Sequence, residues 1–318
     1  MAKLIEKNTS IFMAKLIDFE GSIKSIMISH RVPCGNKQTM LIRGASRSVL
    51  GTALFIPMLG IQLDCGRKVT WAKDIVQMYI THGHLDHCSD FPLVVSYVAT
   101  RQHAGHITVY APDVIVPRLF QYERAAVELN TNSEEGEGEE ELTGDFDLIG
   151  VHTGDDSPEI SFLGGKRKKT VWRVIVMEST HTVPCLSYAF YEVGKCLNPN
   201  YSPEDVPRLR HRGVEDINVE RLIPRFLFCG DTGPQFLQNY ADTIKTFPLV
   251  IIECTYLDGP VEKAVTRGHL HLDHIVEFAT DAPNTHFELI HFSLRYKTDE
   301  AIRGPIEETG PTNLHAFI

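Results

Sequence analysis

Long apolar runs are missing from this 318-residue chain: none approaches the ~18 residues a membrane-spanning helix needs, so no membrane anchor is expected. The N-terminus lacks the basic, then apolar, then small-residue order of a secretory signal, so export is not expected either. Cysteine is sparse, with seven residues at 34, 65, 88, 185, 196, 229 and 254, no Cys-x-x-Cys pair and an odd total. That argues against a disulfide framework. It reads as small buried apolar side chains in an intracellular, reducing compartment: cytoplasm, nucleus or an organelle.

A positive balance is missing too, since the formal net charge is −10. Residues 134–147 hold eight acids and no base, and without them the balance is −2. The body of the chain is therefore near neutral, which leaves room for an RNA-facing patch. The glutamate-glycine core of the acidic run reads as a solvated, disordered loop over 131–145.

What is present is ordinary for a globular protein, 43% hydrophobic and 23% charged residues. Met1-Ala2-Lys3-Leu4-Ile5 recurs as Met13-Ala14-Lys15-Leu16-Ile17, which a second start codon or a cloning remnant explains as well as a repeat does. Residues 1–20 read as a weakly ordered extension. Residues 21–318 read as one domain, because no Pro/Gly/Ser linker divides them.

Short β-rich segments are expected over 22–28, 39–42, 52–56 and 61–63, punctuated by Gly, Asn and Pro. A buried strand over 76–80 runs into a histidine cluster. Helices are expected over 91–100 and 114–129, and strands over 107–110, 146–152, 170–177 and 186–193. A proline-bearing stretch, 194–222, reads as less regular. The last third alternates: strand 225–229, helix 235–246, strand 249–253, helix 271–280, strand 286–290, helix 298–302. Strand-rich first and alternating second suggests an α/β architecture of two sheets packed face to face under outer helices.

The chemistry gathers at Thr81-His82-Gly83-His84-Leu85-Asp86-His87. His82, His84, Asp86 and His87 fall within six residues directly after a buried strand, and imidazole with carboxylate is the donor set of zinc and manganese. On a tight loop, alternation offers His82 and His84 to one metal while Asp86 and His87 face another. Two metals need more ligands than four. His181, Asp231 and His291 each stand just past an expected strand, so they can converge on the same crevice.

Taken together, Asp64-Cys65-Gly66, the His82 to His87 motif, His181-Thr182-Val183-Pro184, Gly230-Asp231-Thr232 and His291-Phe292-Ser293-Leu294-Arg295-Tyr296 occur in a telling order. In it the chain resembles ribonuclease Z, the tRNA 3′-processing endonuclease of the metallo-β-lactamase superfamily, in its short plant and cyanobacterial form. The likeness runs from about residue 23 to about residue 302. The first two motifs mark only the superfamily. The His291 segment and Gly268-His269-Leu270-His271 are more particular.

The resemblance implies a four-layered αβ/βα fold of two mixed sheets between outer helices. It implies one metal on His82, His84 and His181, a second on Asp86, His87 and His291, and Asp231 bridging them. The two divalent ions are expected to be zinc, with manganese as the alternative. Such a pair, ~3.5–4 Å apart, clamps a phosphodiester and acidifies a water, whose proton Asp86 can accept. His269 then assists the leaving group and Glu253 orients it.

The chain departs from the family's pattern at Gly233, where an arginine is common, and at Ile252-Glu253-Cys254-Thr255, where His-Glu-Ala-Thr is common. No Gly-Pro-bearing exosite arm is recognisable, and 194–222 stands in its place as a possible reduced arm. These departures touch tRNA recognition rather than the metal chemistry. Arg208, Arg210 and Arg212 and, as a second choice, Lys166, Arg167, Lys168 and Lys169 are candidate phosphate contacts.

The expectation is a binuclear metal-dependent endoribonuclease, homodimeric, that trims 3′ trailers from precursor tRNA. The alternative is a hydrolase of the same fold acting on a small phosphodiester or ester without tRNA recognition. A third reading, an RNA-binding protein with a dead site, is disfavoured by the intact donor set.

Overall fold

Leu249, Val250, Ile251 and Ile252 explain the layering of the molecule. Leu249 and Ile251 belong to one apolar core and Val250 and Ile252 to another. Successive side chains of a strand point to opposite faces, so an unbroken apolar run marks a strand buried on both sides.

The structure, a computed structural model, describes residues 28–35, 38–67, 74–100, 106–131, 146–164 and 169–318, with backbone alone at 97–100 and 131. The expected extension 1–20, the strand expected over 22–28 except residue 28, most of the acidic loop and Lys166 to Lys168 lie outside the described residues.

Seven strands make the first sheet, β1 (Ile28–Pro33), β2 (Thr39–Arg47), β3 (Gly51–Ile56), β4 (Ile61–Leu63), β5 (Gln77–Tyr79), β6 (Ile107–Pro112) and β7 (Phe146–Val151), in sequential order. The pairings are antiparallel from β1 to β4 and parallel from β4 to β7. The second sheet follows the same plan with β8 (Ile160–Gly164), β9 (Thr170–Ser179), β10 (Cys185–Leu197), β11 (Asn218–Phe228), β12 (Leu249–Glu253), β13 (His286–Ile290) and β14 (Leu314–Ala316). It is antiparallel from β8 to β11 and parallel from β11 to β14.

Between the sheets lies a core that includes Leu54, Leu63, Tyr79, Trp172, Phe190, Phe226, Phe228 and Ile251. Phe190 and Phe226 stack with ring centroids 4.2 Å apart, and Tyr79 meets Phe190 edge-on at 5.0 Å. Burying each such ring contributes roughly 1.5–3 kcal/mol. The first sheet's other face carries α1 (Leu85–Cys88), α2 (Phe91–Thr100) and α3 (Val116–Thr131) through Cys88, Phe91, Val94, Val95 and Leu119.

A short helix, α4 (Val206–His211), sits apart. The second sheet's outer face carries α5 (Pro234–Asn239), α6 (Ala241–Ile244) and, after the short α7 (Val261–Thr266), α8 (Leu272–Thr280) and α9 (Glu300–Glu307). Phe236, Ile244, Leu272, Ile275, Ile302 and Ile306 supply that contact. The layers run helix, sheet, sheet, helix.

Several expectations need correction. The helix expected over 235–246 is two helices, because Tyr240 (φ −119°, ψ 19°) leaves the helical region between α5 and α6. Strand β1 beyond Ile28, strands β8 and β14 and helices α1, α4 and α7 were not expected, being short and weakly periodic. The less regular stretch 194–222 is a short β-ribbon, 194–197 against 218–221, closed by turns, a 3-10 turn and α4. Residues 193–197 of β10 pair only with 218–222 of β11, beyond the last rung shared with β9. Its prolines fit this irregularity: Pro203 opens a 3-10 turn, and the α-helix begins only at Val206, with Pro207 in its first turn.

Candidate metal centre

Strand direction places the donors. β11, β12 and β13 are mutually parallel, and β9, antiparallel to β10 as β11 is, runs the same way. Their carboxyl ends therefore share one edge, and ligands in such sheets collect outside that edge. His181 follows β9, Asp231 follows β11, Glu253 ends β12 and His291 follows β13. From the facing sheet, Asp64 follows β4 and His82 and His84 follow β5. Asp86 and His87 lie on α1, whose N-cap is His84. The tight alternating loop expected there is this helical turn, so Asp86 and His87 are presented as neighbours by its curvature.

Donor atoms of His82, His84, His181 and Asp231 all lie within 4.8 Å of one another, as do those of Asp86, His87 and His291. A third overlapping group is Asp231, His269 and His291. His82 Nε2 is 3.0 Å from His84 Nδ1, and His181 Nε2 is 3.2 Å from that same atom. On the other side His87 Nε2 is 3.3 Å from His291 Nε2, which is 3.3 Å from Asp86 Oδ2. Asp231 stands between, with Oδ1 3.4 Å from His87 Nε2 and Oδ2 3.9 Å from His82 Nε2 and 3.5 Å from His291 Nε2.

The outward-facing ring nitrogens are fixed by a second layer of partners. His87 Nδ1 donates to Asp64 Oδ2 at 2.7 Å, and Asp64 also accepts from the Thr81 backbone N–H and hydroxyl. His181 Nδ1 donates to the Gly268 carbonyl at 2.8 Å. Gly268 has φ +69°, and a Cβ there would stand 3.0 Å from that same Nδ1, so the approach needs glycine. His291 Nδ1 lies 3.0 Å from the Thr255 hydroxyl, which donates to Glu253 Oε2 at 2.6 Å. Val49 N–H donates to Asp86 Oδ2 at 2.7 Å.

Among the described residues, the non-glycine positions with positive φ are Val49 (71°), Asp64 (54°) and His291 (61°). All three touch this centre. Such backbone costs of order 1–3 kcal/mol per residue and persists where the surroundings impose it, which clusters it at functional sites.

The donor chemistry fits divalent cations. Burial, then neighbouring imidazoles, holds His82 well below the ordinary imidazole range, and burial lowers His84 and His181 as well. These three rings are neutral with free lone pairs, the form a cation binds. Burial would lower His87 too, but Asp231 and Asp64 outweigh it and push it well above the ordinary range, so it must release a proton to bind a cation. Burial would raise Asp231, but His291 and His87 outweigh it and keep it ionised. Burial also opposes ionisation of Asp86, and the His291 hydrogen bond, the His87 charge and the Val49 N–H overcome it. Stripped of a counter-charge, buried donors packed nitrogen against nitrogen would repel one another.

Beside the donors, His269 Nδ1 donates to Glu253 Oε1 at 2.7 Å and lies 3.9 Å from Asp231 Oδ2. Burial pushes His269 down, but the Glu253 carboxylate and its hydrogen bond win and raise it to about 9.

All nine metal and catalytic candidates are thus in one place. Arg208, Arg210 and Arg212 are elsewhere, exposed at the ribbon tip, and Arg208 is paired with Asp205 at 2.9 Å. His271 and His274, which carried no assignment, cap α8: the His271 ring accepts from Asp273 N–H, and the His274 ring from His271 N–H. Asp64 appeared only as part of a motif. Thr255, Thr81 and Val49 were not singled out, because serving a histidine by a hydroxyl or a backbone N–H leaves no charge pattern to read.

No family model matches the chain. Among curated relatives, tRNase Z TRZ1 of Arabidopsis thaliana is 29% identical over 267 residues, spanning 81% of this chain and 87% of the relative. The crystal structure of human tRNase Z, short form, superposes with a TM-score of 0.50 at 16% identity, covering 80% of this chain and 93% of that one. The metallo-beta-lactamase fold protein YhfI from Bacillus subtilis gives 0.51 at 11% identity, with 86% and 92% covered. The chain has the metallo-β-lactamase fold, as expected from its motifs, and its resemblance to ribonuclease Z is borne out over most of its length.

Proposed function

We propose that this chain, a metallo-β-lactamase-fold protein similar to ribonuclease Z, is a metal-dependent endoribonuclease that removes 3′ trailers from precursor tRNA and leaves a 3′-hydroxyl. The carrying observation is the convergence of seven donors from both sheets on one strand edge, with His269 held by Glu253 at their side.

In this reading His82, His84 and His181 hold one divalent ion, Asp86, His87 and His291 a second, and Asp231 serves both. Zinc is the first candidate and manganese the second. Bound there, the cations supply Lewis acidity toward a phosphodiester and bring the pKa of water near ~7. Asp86, ionised and anchored at Oδ2 by Val49 N–H, orients the attacking water and takes up its proton. A carboxylate held so low is a weak base, so alignment is the larger part of its work. His269 is protonated at neutral pH and keeps Nε2 for the departing 3′-oxygen of the tRNA, while Nδ1 stays on Glu253.

One observation favours the second reading, a hydrolase of small phosphodiesters or esters. At the ribbon tip, exposed Arg208, Arg210 and Arg212 stand among Glu204, Asp205, Glu215 and Asp216, so the local charge does not favour RNA. Purified protein incubated with a precursor tRNA and with bis(p-nitrophenyl) phosphate separates the two. Endonucleolytic release of the trailer supports the first reading. Turnover of the small ester alone supports the second, and inertness toward both, with metal bound, defeats both.

The seven free thiols suit a reducing compartment, and among the described residues no helix is long and apolar enough to cross a membrane. A homodimer completes the proposal, to be read by light scattering.

A further inference from the structure

A second histidine cluster lies at the opposite end of β13 from the metal centre. His286 opens the strand and His291 follows its end, so the two are separated by roughly 16 Å of extended chain. There, between β1, β14 and α9, a cavity of about 340 Å³ opens, within the roughly 300–1,000 Å³ range of small-ligand pockets.

Its polar groups are unevenly matched. Glu288 is buried and already committed, with Oε1 2.5 Å from His30 Nδ1 and Oε2 2.9 Å from His286 Nε2. His315 stacks on His286 at 4.2 Å between ring centroids. Arg31, from β1, and Arg303, from α9, line the same cavity from different elements. Neither guanidinium has an ion-pair or hydrogen-bond partner among the described residues, Asp and Glu included. The remaining lining acid is Glu307, exposed and one turn from Arg303.

Two unpartnered guanidiniums and imidazole donors around a concave space are the usual recognition set for phosphate, because the planar fork matches phosphate oxygens in pairs. A metal does not suit this cluster. The Glu288 carboxylate is wedged between two imidazoles, one on each oxygen, so the three donors do not share a common centre.

We infer that this cavity is a binding site for a phosphate dianion, free or carried on a mononucleotide, gripped by Arg31 and Arg303 over the His286–His315 pair. The site is independent of the hydrolytic reading, since it shares no residue with the metal centre. Burial and the neighbouring His286 hold His315 down at about 4. A dianion bound beside it favours its protonated form, so occupancy raises the His315 titration.

The test is calorimetric titration of the intact protein at fixed ionic strength, with inorganic phosphate, with AMP and with chloride as the control. The same titrations are run on Arg31→Ala/Arg303→Ala and on His84→Ala, which separates this site from phosphate held at the metal centre. One saturable phosphate site is expected, retained in His84→Ala and weakened at least about tenfold, or ~1.4 kcal/mol, in the double arginine variant. Tighter binding of AMP assigns a mononucleotide, and equal or weaker binding assigns free phosphate. The inference is overturned if the only saturable binding is lost with His84, or if binding ignores the arginines. Should the double variant not fold, NMR titration of His315 in the unaltered protein decides: an upward shift with phosphate and not with chloride supports the site, and an unmoved titration rejects it.

Discussion

Glu253 reaches two histidines of different kinds: Oε1 takes the His269 Nδ1 proton at 2.7 Å, and Oε2 takes the Thr255 hydroxyl, which in turn meets His291 Nδ1. The same carboxylate accepts the backbone N–H groups of Thr232 and Thr255, so it also fixes the turn that carries Asp231. A single buried acid therefore aligns His269 with the proposed metal donors His291 and Asp231.

The first prediction concerns pH. If His269 works as an acid, turnover requires its protonated form and falls as pH rises through about 9. Burial alone would lower this imidazole, and Glu253 is what raises it. Glu253→Gln should therefore move the alkaline limb of kcat to lower pH by more than one unit, while His269→Ala should keep bound metal and lose ~10²–10⁴ in turnover. An alkaline limb that stays in place in Glu253→Gln, read from the pH profile of kcat, would remove the proposed link.

A second prediction tests the partner of His87. Asn at position 64 keeps the size of Asp64 and tolerates its positive φ, so Asp64→Asn should fold. It removes the anion that fixes the His87 tautomer, and outer-layer changes of that sort typically cost about 10–100-fold in metal affinity. Competition against a chelator should show that loss for one of the two proposed ions. Unchanged affinity for both would mean that Asp64 serves the fold alone.

The donors were legible in the sequence for a physical reason. His181, Asp231 and His291 each end an apolar strand, and strand ends on one edge converge whatever the loops do. Helix capping by His271, the φ of His291 and the carbonyl of Gly268 left no such trace, since they are backbone conformations set by tertiary packing. The ribbon of β10 and β11 was hidden for another reason. Its outer half pairs on neither flank with the sheet, so its faces are partly exposed and it shows no apolar alternation. Prolines inside it suggested irregularity: Pro199 lies in the turn after β10, and Pro203 and Pro207 stand at helix starts where a missing N–H is harmless.

The third prediction is stability in acid. His315 is lowered to about 4 by burial and by His286. Its folded pKa lies below its unfolded value of about 6.5, so the unfolded chain takes the proton first. Stability from this residue is whole above about 6.5 and drains as pH falls toward about 4. Glu288 adds to the same trend lower down: burial would raise it, but His286 and His30 hold it depressed, and its contribution is lost as pH falls below the ordinary carboxylate range. His315→Asn should flatten the slope of Tm between pH 6.5 and 4. An identical slope in that variant would mean that other groups set it.

The last prediction concerns the ribbon tip, where the two functional readings part. Beyond β9 the paired strands carry a compact cap. Asn198 Nδ2 donates to the Asp216 carbonyl, Tyr201 OH to Asp216 Oδ1, and Leu209 and Ile217 are buried within it. That construction can present side chains on a stiff stalk. Of the three arginines, Arg208 is held by Asp205, while Arg210 and Arg212 are exposed and have no side-chain partner among the described residues. If the tip grips tRNA, Arg210→Ala/Arg212→Ala should weaken binding and flatten its salt dependence by up to roughly two counterions, and adding Arg208→Ala should change little more. Cleavage of bis(p-nitrophenyl) phosphate should persist, because neither residue touches the metal centre. Equal loss on both substrates would assign the tip to the fold. Unaltered tRNA binding would leave the acids Glu204, Asp205, Glu215 and Asp216 as the deciding charge and favour the small-substrate hydrolase.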